Sequence, residues 1–108
     1  FNLKDKIIFN TLTIGGTKEA YAPNGHNKFT IREFLIPFEQ TANLCKMIYL
    51  SPFAVHGTHL LTEKDLNEYA RLYQALLEKL AQGNFDIRIT RKYSYLNDWL
   101  AKETGANL

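Results

Sequence analysis

The sequence predicts an α/β fold built on parallel strands, but with too few units for a complete doubly wound domain. Three observations carry that expectation. The segments run strand, long loop, helix, strand, helix, tail, which is the βαβα order of a sheet with crossover helices. The strand-like runs are β-branched and aromatic, whereas the helical runs repeat their apolar residues at helical spacing. A five-strand doubly wound domain needs about 125 residues, at roughly 6 per strand, 12 per helix and 4 per loop. The chain has 108, and two parallel strands do not by themselves make a sheet buried on both faces.

The first strand is expected over Lys6 to Thr13, around Ile7, Ile8 and Phe9, opening into a loop at Gly15-Gly16. Thr17 to Lys28 is polar, with turn chemistry in Pro23-Asn24-Gly25. A loop of about a dozen residues is long for a compact domain and points to function. Thr30-Ile31-Arg32-Glu33 reads as a capping box, with Phe29 and Phe34 at the spacing of a hydrophobic staple. The helix it opens is expected to reach about Cys45 with Phe34, Leu35, Phe38, Ala42 and Cys45 on its apolar face. Pro37 should bend it, since proline has no amide to donate to the Glu33 carbonyl.

Met47 to His56 is the second strand. Pro52 after Ser51 makes it an edge strand or one broken by a bulge. Thr62 caps the long helix, with Leu61 and Leu66 as its staple, a packing stripe of Leu66, Tyr69, Tyr73, Leu76, Leu77 and Leu80, and Gly83 at its end. The domain proper is expected over residues 1–83, and residues 84–108 form a C-terminal tail holding a short extended stretch and a helix that presents Leu96, Trp99 and Leu100.

Composition narrows the function classes. Thirteen Lys and Arg against eleven Asp and Glu leave a net charge of +2, which argues against a nucleic-acid partner. Apolar residues make up 45% and charged residues 22%, as in a folded soluble domain, and no apolar run approaches the roughly 18 residues of a membrane span. The single cysteine, Cys45, allows no internal disulfide and fits a cytoplasmic location; on an apolar helix face it reads as core. Phe1 in place of Met suggests a piece of a longer protein.

Thr13-Ile14-Gly15-Gly16, followed after four intervening residues by Tyr21 and then by a turn through Pro23-Asn24-Gly25, carries a more specific likeness. The stretch resembles the Thr-Thr-Gly-Gly region of the flavodoxin-like-fold NAD(P)H:quinone oxidoreductases. These include the ancillary proteins of bacterial glutathione-regulated potassium efflux, the modulator of drug activity proteins and, more distantly, DT-diaphorase. The likeness continues through Phe29-Thr30, Phe34-Leu35, Pro37-Phe38-Glu39, Thr41 to Leu44, Met47 to Pro52 and Gly57-Thr58-His59, covering about residues 3–82. It implies the C-terminal half of a flavodoxin-like doubly wound parallel sheet, the fourth and fifth β-α units. The first three strands and the loop that holds the flavin phosphate are then absent.

The resemblance also implies site residues. Thr13, Ile14, Gly15 and Gly16 would contact a flavin, FMN or FAD, because backbone without Cβ atoms can approach the ring and donate to its polar edge. The alternative for a Gly-Gly pair is a tight turn. Tyr21 corresponds to the family tyrosine whose hydroxyl stabilises negative charge during hydride transfer from NAD(P)H to a quinone-type acceptor; alternatively it is a half-buried loop aromatic. The DT-diaphorase histidine lies six residues after its tyrosine, where this chain has Asn27; His26, at five, is the candidate proton donor or else a surface-loop histidine.

His56 and His59, three apart, lack a third metal-ligand partner at a recognisable spacing, so no metal is expected. Arg88, Arg91 and Lys92 form a small basic cluster, either solvated or facing a cofactor phosphate or an acidic partner. The leading expectation is an NAD(P)H:quinone oxidoreductase whose isolated C-terminal portion is inactive and self-associates through its unpaired strand edge. The other is a regulatory ancillary subunit of a membrane potassium-efflux protein.

Overall fold

A computed structural model describes residues 2–105. Two lines of chain run side by side as parallel strands. The first comprises β1 (Ile7–Ile8) and β2 (Thr11–Thr13), and the second β3 (Ile48–Tyr49) and β4 (Phe53–Val55). Ile8 pairs with Tyr49 and Thr11 with Phe53, so residues 9–10 face residues 50–52 and the second line carries one extra residue. That is a bulge at Leu50-Ser51-Pro52, where Pro52 has no amide for the ladder. Leu50 N donates to Ile8 O and Phe53 N to Asn10 O, each at 3.0 Å, so pairing resumes on either side.

Helices cover both faces. The Thr30 capping box forms as its residues require: Thr30 Oγ1 accepts from Glu33 N at 3.1 Å and Glu33 Oε1 accepts from Thr30 N at 3.0 Å. The Phe29 and Phe34 rings meet edge to face with centroids 6.1 Å apart, completing the staple. The helix is interrupted rather than merely bent: α1 (Ile31–Phe34) stops at Leu35, and α2 (Ile36–Leu44) restarts with Pro37 in its first turn, where a missing amide does no harm. Thr62 and Asp65 make a second capping box for α3 (Glu63–Gln82), and Gly83 ends it at φ 68°, in the left-handed region that favours glycine.

α4 (Ile87–Thr90) is helical where an extended stretch was expected, because Asp86 caps it by accepting from Arg88 N at 2.9 Å. α5 (Leu96–Thr104) then packs back onto the sheet. Leu50, Phe53 and Val55 join Leu72, Leu76, Leu96, Trp99 and Leu100 in the main core, between sheet, α3 and α5. Ala54, on the opposite face of β4, joins Ile31, Leu35 and Tyr95 in a second cluster. All three β4 residues are buried, so this strand is covered on both faces as a parallel strand should be.

The packing departs from the expected stripes in particular places. Leu72 is buried at 4% exposure whereas Leu66 and Leu77 are 48% and 45% exposed, so the buried side of α3 is narrower and turned relative to its apolar pattern. Phe34 and Phe38 are 51% and 54% exposed, leaving Leu35 and Ala42 to pack inward. Cys45 is half-buried at the end of α2 rather than in the core. Among the described residues no helix is long and apolar enough to cross a membrane.

Candidate functional site

The register that pairs Thr13 with Val55 brings the C-terminal ends of β2 and β4 together. Ile14 N donates to Val55 O at 2.8 Å and Gly57 N to Gly16 O at 3.0 Å, joining the two exits from the sheet. In open α/β sheets, ligands bind beyond this end of the strands.

Gly15 and Gly16 stand exposed there. Neither has a positive φ, so they are not needed for a left-handed turn. They are needed for space: a Cβ on Gly15 would lie 3.1 Å from His59 Nε2, and one on Gly16 would lie 3.2 Å from Tyr21 Cε2. Among the described residues, their amides donate to no protein acceptor. Two exposed residues without Cβ atoms, whose amides have no protein acceptor, leave the backbone open to the polar edge of a planar ring such as a flavin.

Tyr21 is fixed by the loop between β2 and α1. A 3-10 turn, Lys18–Ala20, is closed by Tyr21 N donating to Lys18 O at 3.2 Å, and Asn27 N returns to Ala20 O at 2.9 Å. The half-buried Tyr21 ring packs edge to face on Phe34, centroids 5.8 Å apart, and against His56 at 5.6 Å. With Thr13, Ile14 and Asn27 it lines a cavity of about 380 Å³. His26 is exposed and does not line that cavity, whereas Asn27, six residues after Tyr21, does.

Beneath Tyr21 lies a pair that local spacing in the sequence did not reveal. His56 follows β4, and its Nε2 is 3.1 Å from Tyr95 Oη, across 39 positions of chain. Its Nδ1 is buried without a hydrogen-bond partner of good geometry. Burial lowers the His56 pKa below its ordinary value; the Gly16 backbone opposes the shift, Lys18 adds to it, and Glu19 opposes it. Burial likewise raises the Tyr95 phenol, and the Asp98 carboxylate adds to the shift. Both shifts favour the neutral forms, giving an uncharged imidazole-phenol pair against the Tyr21 ring.

His59 is exposed beside Gly15 while His56 turns to Tyr95, so the two histidines do not converge. Among the described residues no group of three or more His, Cys, Asp or Glu is placed to hold a metal ion. The basic cluster divides: Arg88 pairs with its neighbour Asp86 at 3.3 Å, whereas Arg91 and Lys92 line a second cavity.

Parallel strands between helical layers, with the candidate residues at their C-terminal ends, define an open α/β protein, a class in which ligands bind beyond the carboxyl ends of the strands. The chain belongs to the flavodoxin-like fold family, whose model matches residues 2–89. It is 31% identical over 75 residues to the glutathione-regulated potassium-efflux system ancillary protein KefG of Cronobacter sakazakii, a match covering 68% of this chain and 41% of that protein. Identity to the uncharacterized NAD(P)H oxidoreductase YdeQ of Bacillus subtilis is 32% over 71 residues, 66% of this chain and 36% of that one. Among solved structures, the NADPH-quinone reductase of P. pentosaceus superposes with a TM-score of 0.61 at 32% identity, covering 66% of this chain and 42% of that one. The chain spans about two fifths of the length of these curated relatives.

Proposed function

We propose that this chain is the C-terminal portion, carrying the fourth and fifth β-α units, of a cytoplasmic flavin-dependent oxidoreductase that passes hydride from NAD(P)H to a quinone-type acceptor. The observation that carries the reading is the pair of uncommitted, Cβ-free amides at Gly15 and Gly16 with Tyr21 beside them. The flavin, FMN or FAD, supplies the hydride chemistry when bound. Thr13, Ile14, Gly15 and Gly16 would hold its ring by backbone contact. The Tyr21 hydroxyl would donate a hydrogen bond to negative charge that develops in the transition state. Phe34 and His56 would keep the Tyr21 ring in place from two sides. His26, exposed and outside the cavity, has no part in this reading.

Turnover belongs to the protein that also holds the phosphate loop, so residues 1–108 alone are inactive in this account. The test is NAD(P)H oxidation by the full-length protein with benzoquinone as acceptor. Tyr21→Phe should lower kcat about tenfold or more, as a donor specific to the transition state does, and leave flavin content unchanged. An unchanged kcat would remove Tyr21 from the mechanism.

The likeness to KefG supports a second reading, in which the protein acts chiefly as an ancillary subunit of a membrane potassium-efflux protein. Co-purification with such a transporter, and stimulation of its flux by the flavin-loaded protein even after Tyr21→Phe, would favour it. No flux response in a reconstituted transporter would discard it.

A further inference from the structure

Tyr95 stands outside residues 2–89, the stretch that matches the flavodoxin-like fold family, yet its side chain reaches the site. It precedes α5 in extended backbone, and Asp98 N donates to its carbonyl at 3.2 Å, so the turn into that helix sets where the ring goes. The ring is 9% exposed and packs with Ile31, Leu35 and Ala54, while Lys18 Nζ sits 4.8 Å from its centroid. Its hydroxyl lies 3.1 Å from His56 Nε2, with the two rings edge to face, centroids 5.6 Å apart and planes at 79°. His56 in turn lies against Tyr21, again with centroids 5.6 Å apart. A line of three rings therefore runs from the C-terminal tail to Tyr21.

A neutral imidazole has one N–H and one bare lone pair, and its surroundings decide which nitrogen carries which. Nδ1 of His56, the ring nitrogen nearer the main chain, is buried without a partner of good geometry. The Gly16 carbonyl, which accepts from the adjacent Gly57 N at 3.0 Å, acts on the imidazole in the sense that favours a proton on the ring. With the proton on Nδ1 that polarity is matched, and Nε2 is free to accept from the Tyr95 hydroxyl. With the proton on Nε2, a bare lone pair would be buried at Nδ1. We propose that Tyr95 is a positioning residue of the site: its hydroxyl donates to His56 Nε2, holds the imidazole as the Nδ1–H tautomer and so fixes the ring against which Tyr21 rests. The inference rests on the reading of Tyr21 given above and extends the site into the C-terminal tail.

The test joins a tautomer measurement to kinetics, both on the full-length protein. In long-range proton-nitrogen correlation spectra of protein with isotope-labelled histidine, the His56 signals are those that His56→Gln removes. They should show the Nδ1–H form, and Tyr95→Phe, which keeps the ring and its packing, should release them into a mixture of both tautomers. With benzoquinone as acceptor, Tyr95→Phe should lower kcat about threefold or more with flavin content unchanged, and should lower it no further in a Tyr21→Phe background, since the effect passes through Tyr21. A packing role alone would give equal losses in the two backgrounds. The Nε2–H form in the parent, a tautomer unmoved by Tyr95→Phe, equal losses in both backgrounds, or no loss in Tyr95→Phe where Tyr21→Phe shows one would overturn the inference. Undiminished kcat in Tyr21→Phe, beside a tautomer that does shift in Tyr95→Phe, would instead overturn the reading of Tyr21 and leave the hold of Tyr95 on His56 standing.

Discussion

The side-chain amide of Asn97 satisfies both backbone groups of Ala54: Nδ2 donates to the Ala54 carbonyl at 2.8 Å, and Oδ1 accepts from the Ala54 amide at 2.9 Å. Leu96 N donates to Pro52 O at 2.8 Å and Ser51 Oγ to Tyr93 O at 2.7 Å along the same edge. The segment entering α5 thus does for β4 what a neighbouring strand would do. Asn97→Ala would strand a largely buried donor and acceptor and should cost about 2–4 kcal/mol of unfolding free energy. Asn97→Asp should cost more, because its carboxylate would face the Ala54 carbonyl. Urea denaturation measures both, and an unchanged midpoint would show that the edge is held by other contacts.

Gly25 is where the loop that carries Tyr21 closes on itself. A Cβ there would collide with the carbonyl of Glu19 and lie 2.7 Å from that of Ala20. Backbone cannot yield as a flexible side-chain end can, so Gly25→Ala should destabilise the fold by about 1–3 kcal/mol and loosen the loop. Limited proteolysis should cut residues 17–28 faster in the variant than in the parent. Equal protection would mean that the loop tolerates the extra atom.

What the sequence disclosed was mostly local. Thr30 with Glu33, Phe29 with Phe34, Pro52 at the bulge and Gly83 at the helix end are decided by neighbours within a few positions, so their residue types sufficed. Asn97 with Ala54 and His56 with Tyr95 join parts of the chain 43 and 39 positions apart, and no short pattern announces them. The apolar stripe of α3 named Leu66 and Leu77 but not Leu72, because periodicity gives a face and tertiary packing decides which part of it is covered. Counting residues placed Asn27, not His26, at the family spacing, and the cavity beside Tyr21 follows that count.

His56 makes stability depend on pH in a definite direction. Its folded-state pKa lies below the ordinary 6.5, mainly through burial, so the unfolded chain takes up the proton more readily. Its contribution is then complete above about pH 6.5 and declines as pH falls through that value toward the lower folded pKa. The urea midpoint should drop between about pH 7.5 and about pH 5, and less steeply in His56→Gln. Identical slopes would place the imidazole in water-like surroundings.

The outer edge of β1 and β2 has no strand partner among the described residues, and Ile7 beside it is 37% exposed. Open backbone groups of this kind are a template for pairing with another chain. Residues 1–108 should therefore form a homo-oligomer by edge pairing. Ile7→Lys should shift the chain toward monomer, since an edge lysine opposes such pairing. Sedimentation equilibrium would read the change, and a chain already monomeric at high concentration would contradict it.

The most direct test of the account is the flavin content and NAD(P)H:quinone activity of the full-length protein before and after Gly16→Val. The added Cβ and methyls would occupy the space between the exposed backbone and Tyr21. The expected result is a protein that binds flavin and turns over, with both properties lost together in a variant that stays folded by circular dichroism. Full flavin occupancy and undiminished turnover in Gly16→Val would contradict the assignment of this strand end as the flavin contact.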